Sequence, residues 1–141
     1  MTTQNTTLTI SEKISYCHDE FGRPSFQRLS RLGDLDLEFD GWLIGNAEEP
    51  ISPSRNTTHV NIYYTTRGSY VMHISRFLPN RNGAHLPHLV KTKAGAFQSH
   101  LDALEWLKED GRGVLGENSK VAWEEMCAKL PWLKTAQTIR V

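Results

Sequence analysis

The chain has 141 residues, 38% of them hydrophobic, and its 16 basic residues balance its 16 acidic residues. This length and composition predict one globular domain covering residues 1–141, and the four Trp, four Tyr and five Phe argue against intrinsic disorder. No run of about 18 apolar residues would span a membrane, and the polar N-terminus lacks the features of a secretory signal, so we expect a cytoplasmic protein with no membrane partner.

The N-terminal part of the chain contains two segments of different character. Thr7–Ser11 alternates polar and apolar residues, which predicts a short first strand. Residues 18–33 are interrupted by two glycines and a proline, so we expect irregular structure there, with one helical turn around residues 26–32.

Residues 34–40 show the clearest strand pattern in the chain. Leu35, Leu37 and Phe39 alternate with acidic residues, and this alternation places the apolar side chains on one face and the carboxylates on the other. The acidic row of the predicted strand consists of Asp34, Asp36, Glu38 and Asp40.

Residues 59–76 predict a β-hairpin whose register follows from its apolar residues. A two-residue loop would mix polar and apolar residues on both faces, whereas a three-residue loop with Gly68 in the left-handed conformation separates them almost completely. We therefore predict the loop Thr66-Arg67-Gly68. The pairs that it creates are Val60 with Ile74, Asn61 with His73, Ile62 with Met72 and Tyr64 with Tyr70.

The C-terminal half is predicted to contain a loop and two helices. Asn80–Gly95 has the composition of a long basic loop, and apolar residues then recur at helical spacing in about 97–110 and again in about 119–130. The residues predicted to face the core are Leu101, Leu104 and Leu107 in the first helix, and Ala122, Trp123, Met126, Cys127 and Leu130 in the second.

These elements predict an α+β fold. Its mostly antiparallel sheet contains the central hairpin, residues 59–76, and the two C-terminal helices cover the apolar face of that sheet. Residues 137–141 would add a closing strand.

Two segments, Glu38–Gly45 and Val60–Arg76, resemble the core of the EXLDI proteins, which are small bacterial proteins of undetermined biochemical activity. The shared pattern is a strand with F-x-G-x-L and a hairpin turn with Y-x-T-x-x-G-x-Y-x-x-H. The resemblance implies a hairpin followed by helices and a short terminal strand. Here Ala136–Val141 lacks the acids of the family's terminal Glu-x-Leu-Asp-Ile. The ribbon-helix-helix segment of many members has no counterpart, so its DNA-binding or dimerising role is not implied.

The basic residues are concentrated in the middle of the sequence. No acidic residue occurs between Pro50 and Leu101, where six of the Lys and Arg residues and five of the six histidines lie. Cations beside an exposed aromatic ring suit a single-stranded nucleic acid. The leading hypothesis is a non-enzymatic binding or regulatory protein of a bacterial or mobile-element genome, with an anionic partner. The predicted contact residues are Tyr63, Arg67, His73, Arg76, Arg81, Lys91 and Lys93.

Other functions fit the same residues. The predicted acidic row repeats every 6.6–6.8 Å, roughly the phosphate spacing of an extended strand, so a phage- or plasmid-encoded inhibitor could use it to mimic a nucleic acid. A metal-independent ribonuclease of toxin type could use His59, His73, Tyr63 and Arg76 for acid–base work and charge stabilisation.

The acidic row could also simply neutralise the central cations within the fold. No signature of a metal or cofactor site is present, so we expect neither. A homodimer remains open.

Overall fold

The computed structural model describes residues 8–31, 33–50, 52, 54–79 and 88–136. Within these residues the chain forms three α-helices, one 3₁₀ helix and five strands, and the predicted α+β class is confirmed. In chain order they are α1 (Ile10–Phe21), β1 (Ser25–Leu29), β2 (Leu37–Glu48), β3 (Thr57–Thr65), β4 (Tyr70–Leu78), β5 (His88–Phe97), α2 (His100–Asp110), α3 (Glu117–Lys129) and the 3₁₀ helix (Pro131–Ala136).

The strands of the described chain form one antiparallel sheet in the order β1-β2-β3-β4-β5. The predicted register of the central hairpin is confirmed, with Tyr64 opposite Tyr70 and Asn61 opposite His73. Gly68 has a φ of 80°, a conformation that glycine adopts without a steric penalty.

The face of the sheet that packs against the helices, which we call the covered face, carries the main core. Directly opposite residues of an antiparallel pair project to the same side, so the apolar residues of neighbouring strands form continuous rows. Burying each large aliphatic side chain contributes about 1.5–3 kcal/mol. The sheet residues of this core are Trp42, Ile44, Ala47, Val60, Ile62, Tyr64, Tyr70, Met72 and Ile74.

The opposite face, which we call the open face, carries a smaller apolar cluster. Tyr63, Val71 and Ala94 are buried there together with Leu29 at the end of β1. β3 pairs only with residues 41–48 of β2, so β1 and the start of β2 project beyond the hairpin turn. We call β1 together with residues 33–40 the arm. Because Leu29 belongs to the same apolar cluster as Tyr63 and Val71, the arm curls towards the open face.

Helix α3 packs closely against β2 beyond the arm. The Glu125 carboxylate accepts the Asn46 N–H at 2.9 Å. A Cβ at Gly45 would clash with the Ala122 carbonyl oxygen, so this close approach requires glycine. β1 pairs with residues 37–41 only, and the Asn46 N–H is bonded to a helix side chain instead.

Two predictions for the N-terminal part are wrong. Instead of a strand at Thr7–Ser11, helix α1 begins at Ile10, because Thr9 and Glu12 form a capping box in which each side chain accepts the other residue's N–H. Thr7 lies outside the described residues. Residues 18–33 contain the end of α1 and strand β1 rather than irregular structure with a helical turn.

Two further predictions about strands are corrected. The strand predicted at 34–40 begins at Leu37, and Leu35 is 80% exposed rather than part of an apolar face. The part of the predicted loop Asn80–Gly95 that the structure describes is strand β5, which pairs with β4 from Tyr70 to Leu78. Residues 80–87 and the predicted closing strand at 137–141 lie outside the described residues.

The two predicted C-terminal helices are present with shorter or shifted bounds. Leu107 is buried as predicted, but Leu101 is 60% exposed, and Ala103 occupies the inward position instead. All the predicted core residues of the second helix are buried. No helix of the described chain is long and apolar enough to cross a membrane.

Candidate functional site

The residues predicted to bind nucleic acid do not share one surface. Tyr63 and His73 lie on the open face, in the rows of Val71 and Ala94. Arg76 and Lys93 lie on the covered face, since Lys93 is opposite the core residue Ile74 and Arg76 is two residues further along β4.

The remaining members of that set are dispersed as well. Lys91 is opposite Arg76 and is exposed at one end of β5, whereas Arg67 is exposed at the hairpin turn, at the other end of the sheet. Arg81 lies outside the described residues.

Asp110 at the end of α2 binds two of the predicted cations. Its carboxylate accepts two hydrogen bonds from the Arg76 guanidinium, and the Lys93 ammonium lies 2.8 Å from Oδ1. Burial raises the pKa of the Asp110 carboxyl, but the hydrogen bonds from Arg76 and Lys93 outweigh it, and the pKa is lowered from its usual value. Arg76 and Lys93 are therefore both ion-paired within the fold, and the single carboxylate offsets part of their charge.

The predicted acidic row is interrupted and largely paired. Asp34 and Asp36 precede the strand, so the four carboxylates do not repeat along one extended segment. Arg28 of β1 lies 2.9 Å from Asp36 and 3.5 Å from Glu38, and Arg31 lies 3.5 Å from Asp34. Asp40 forms no ion pair with any described residue.

The sheet separates Arg76 from the other residues of the predicted ribonuclease site. His59, Tyr63 and His73 share the open face, whereas Arg76 lies on the covered face. Both ring nitrogens of His73 are buried without a hydrogen-bond partner among the described residues, and burial lowers the pKa of His73, which favours the neutral ring. His59 Nε2 lies 2.9 Å from the Glu49 carbonyl oxygen. In the described strands neither histidine has a Lys or Arg directly opposite it that could stabilise a phosphate.

A groove of about 400 Å³ lies between the arm and the hairpin turn. We call it the turn groove. Its apolar surface is formed by Phe26, Leu37 and Phe39 from the arm, and by Val71 and Ala96 from the sheet.

Hydrogen bonds position both walls of the turn groove. The Thr65 hydroxyl accepts the N–H groups of Arg67 and Ser69, at 3.2 and 3.1 Å, which orders the turn. The Thr66 N–H donates to the Asp40 carbonyl at 2.9 Å and joins the turn to the arm. The ring of Phe39 packs edge-on against Tyr63, with centroids 5.2 Å apart, and this contact fixes the base of the arm.

The turn groove brings together members of both predicted binding sets. Arg67 lines its turn side, whereas Glu38 and Asp40 line its arm side. Arg67 makes no ion pair with either carboxylate, although all three residues line the same cavity. Phe26 at the rim is 61% exposed. A cavity lined by apolar residues and by charged residues of both signs can bind a partner that offers the complementary groups.

Sequence reasoning missed two apolar residues of this groove, Phe26 and Ala96. Phe26 belongs to β1, a segment that was predicted to be irregular with one helical turn, and Ala96 belongs to β5, most of which was predicted as loop. Residues 25–29 do not alternate, because Phe26 and Leu29 are three positions apart, so no local strand pattern identifies β1.

No protein-family model matches this chain, and neither a curated protein nor a solved structure matches it. The resemblance of Glu38–Gly45 and Val60–Arg76 to the EXLDI proteins therefore stays a prediction.

Proposed function

We propose that this chain is a non-enzymatic binding protein, and that the turn groove holds a segment of a partner protein. The observation that carries the proposal is the meeting of Arg67, Glu38 and Asp40 around one cavity without an ion pair between the arginine and the carboxylates. Its volume of about 400 Å³ lies within the range of roughly 300–1,000 Å³ that is usual for binding clefts.

The exposed ring of Phe26 supports a protein partner. Aromatic residues and arginine are enriched in protein interfaces relative to the rest of a protein surface. Phe26 lies in an edge strand of the sheet and is more than half exposed, so a partner could cover it without any change in the core.

A nucleic-acid partner is less well supported by the same groups. Glu38 and Asp40 would repel phosphates from the groove that Arg67 borders. Arg76 and Lys93 are held by Asp110. Of the central cations that the structure describes, Arg55 is paired with Glu49, and Arg67 and Lys91 are exposed at opposite ends of the sheet.

Selection from a random-peptide phage library on the immobilised protein tests the proposal. We expect peptides that bind the wild type and bind Ala96→Trp about tenfold more weakly or worse, because the indole would fill the groove from an exposed position. Leu101→Trp, on the exposed side of α2, is the matched control and should bind like the wild type.

A labelled single-stranded oligonucleotide decides between the two partner classes. At both about 50 and about 200 mM salt, we expect no oligonucleotide binding that depends on Arg67. Arg67→Glu should therefore bind the oligonucleotide no more weakly than the wild type does. Selected peptides that bind Ala96→Trp as tightly as the wild type would exclude the groove as the site. Salt-dependent oligonucleotide binding that requires Arg67 would replace the protein partner by a nucleic acid.

A further inference from the structure

We infer that the segment bound in the turn groove carries an apolar side chain with a basic residue on one side and an acidic residue on the other. This inference rests on the proposed function, and it specifies the partner by the chemistry of three parts of the groove. The arm wall contains Glu38 and Asp40, the turn wall contains Arg67, and the floor contains Phe39, Val71 and Ala96.

The arm wall calls for a basic residue. Asp40 forms no ion pair with any described residue, and its side chain is exposed. Glu38 shares Arg28 with Asp36, and its 3.5 Å contact is longer than the 2.9 Å contact of Asp36. The Arg28 charge is thus divided between two carboxylates, and a net negative charge remains along this wall.

The turn wall calls for an acidic residue. Arg67 is exposed, and its backbone is fixed because the Thr65 hydroxyl accepts its N–H. A guanidinium presents several N–H donors in one plane, which matches the two oxygens of a carboxylate. A carboxylate arriving at this wall would meet a cation that no described residue neutralises.

The floor calls for an apolar residue between these charges. The side chains of Phe39, Val71 and Ala96 carry no hydrogen-bonding group, and exposed Ala96 leaves the cavity open beside them. A polar side chain packed against these three residues would lose its hydration without gaining a hydrogen-bond partner from their side chains. An aliphatic or aromatic side chain would be stabilised by leaving water.

Exchanging the charges of the two walls tests this assignment. Peptides selected on the wild type should share an apolar residue flanked by one basic and one acidic residue. Asp40→Lys and Arg67→Glu should each weaken these peptides about tenfold. A synthetic peptide with its two charged residues interchanged should bind the double variant D40K/R67E more tightly than it binds either single variant.

Two controls separate folding from recognition. Arg112→Glu reverses a charge at an exposed position outside the groove and should leave peptide affinity unchanged. Thermal unfolding by circular dichroism should show the groove variants folded, since the side chains that they replace are exposed.

The possible failures are distinguishable. In one, the selected peptides bind Ala96→Trp more weakly than the wild type and yet lack the charged pair; in another, they bind both charge-reversal variants as tightly as the wild type. Either result would overturn this inference and leave the proposed function standing. Failure to select any peptide that Ala96→Trp weakens would overturn both. If the peptide with interchanged charges did not bind D40K/R67E, the inference would also be wrong, because the inference predicts that this peptide recovers its binding in the double variant.

Discussion

The covered face and the arm differ in how their charged residues are paired. Asp110, with a side chain only 9% exposed, is bound by two cations beneath the sheet, whereas Arg28 on the arm is 64% exposed and divides its charge between two acids. Partly buried ion pairs are poorly screened by water and salt, and exposed pairs contribute little to stability. The comparison indicates that the covered face uses its charges to hold the fold, while the arm keeps charges that an incoming partner can use.

The two apolar clusters differ in size, and the cluster that includes the arm is the smaller one. Of the described residues, 18 are buried in the main core but only four in the open-face cluster. The ion pairs of the arm's acidic residues, as far as the structure describes them, are also made only with Arg28 of the arm and with Arg31 next to it. We therefore expect the arm to be attached less strongly than any element of the main core, which can be tested by substitution.

The largest expected difference concerns two buried leucines. Leu107→Ala leaves a cavity between α2 and the sheet, and we expect a loss of about 3–4 kcal/mol in the free energy of unfolding. Leu29→Ala should lose only about 1–2 kcal/mol, because the arm can settle into the vacated space. Urea unfolding followed by tryptophan fluorescence measures both. Equal losses would mean that the arm is as firmly packed as the core.

A smaller effect is expected from the ion cluster of the covered face. Asp110→Asn removes the charge that Arg76 and Lys93 share, and we expect a loss of about 2 kcal/mol in the free energy of unfolding. Glu109→Gln is the matched control, since Glu109 is exposed on the same turn. It should leave the urea midpoint unchanged. An Asp110→Asn midpoint as high as that of the control would show that the cluster does not stabilise the fold.

The smallest effect concerns the pH dependence contributed by His73. Its pKa is lowered by burial in the folded state, so the unfolded chain binds the proton more readily. Stability is therefore retained above the ordinary value of 6.5 and lost as the pH falls below it. His73→Phe should flatten the dependence of the urea midpoint between about pH 5 and pH 8.

His100 limits how far this dependence can be removed. Its pKa is lowered by burial and by Lys13, so a reduced slope of the same sign should persist in His73→Phe. An unchanged slope in that variant would show that His73 contributes nothing to the acid sensitivity of the fold.

These tests also bear on how far the fold can be predicted from the sequence. The β3–β4 hairpin was predictable to the residue because its two strands are adjacent and only one register separates apolar from polar side chains. Strand β5 could not be predicted, because the side chains that it places on the covered face include Lys91 and Lys93 rather than apolar residues. The acid that neutralises Lys93 comes from α2, 17 positions later in the sequence, and no local pattern reveals it.

Only the charged residues of the turn groove could be predicted from the sequence. Arg67, Glu38 and Asp40 were each identified as candidate contact residues, although for different partners. Their convergence depends on the curl of the sheet that brings Leu29 of the first strand into one apolar cluster with residues of the later strands. Such a contact is set by long-range packing, and the alternation of residues within one strand cannot specify it.

The contact between Glu125 and the Asn46 N–H has a consequence for self-association. An unpaired strand edge is a template on which a second molecule can add its own strand and begin a polymer. With a helix side chain bonded to the Asn46 amide, that stretch of β2 cannot accept a strand, and growth of the sheet in this direction is blocked. The fold can therefore leave the short β1 edge and its phenylalanine accessible while the longer flank of β2 stays shielded from aggregation.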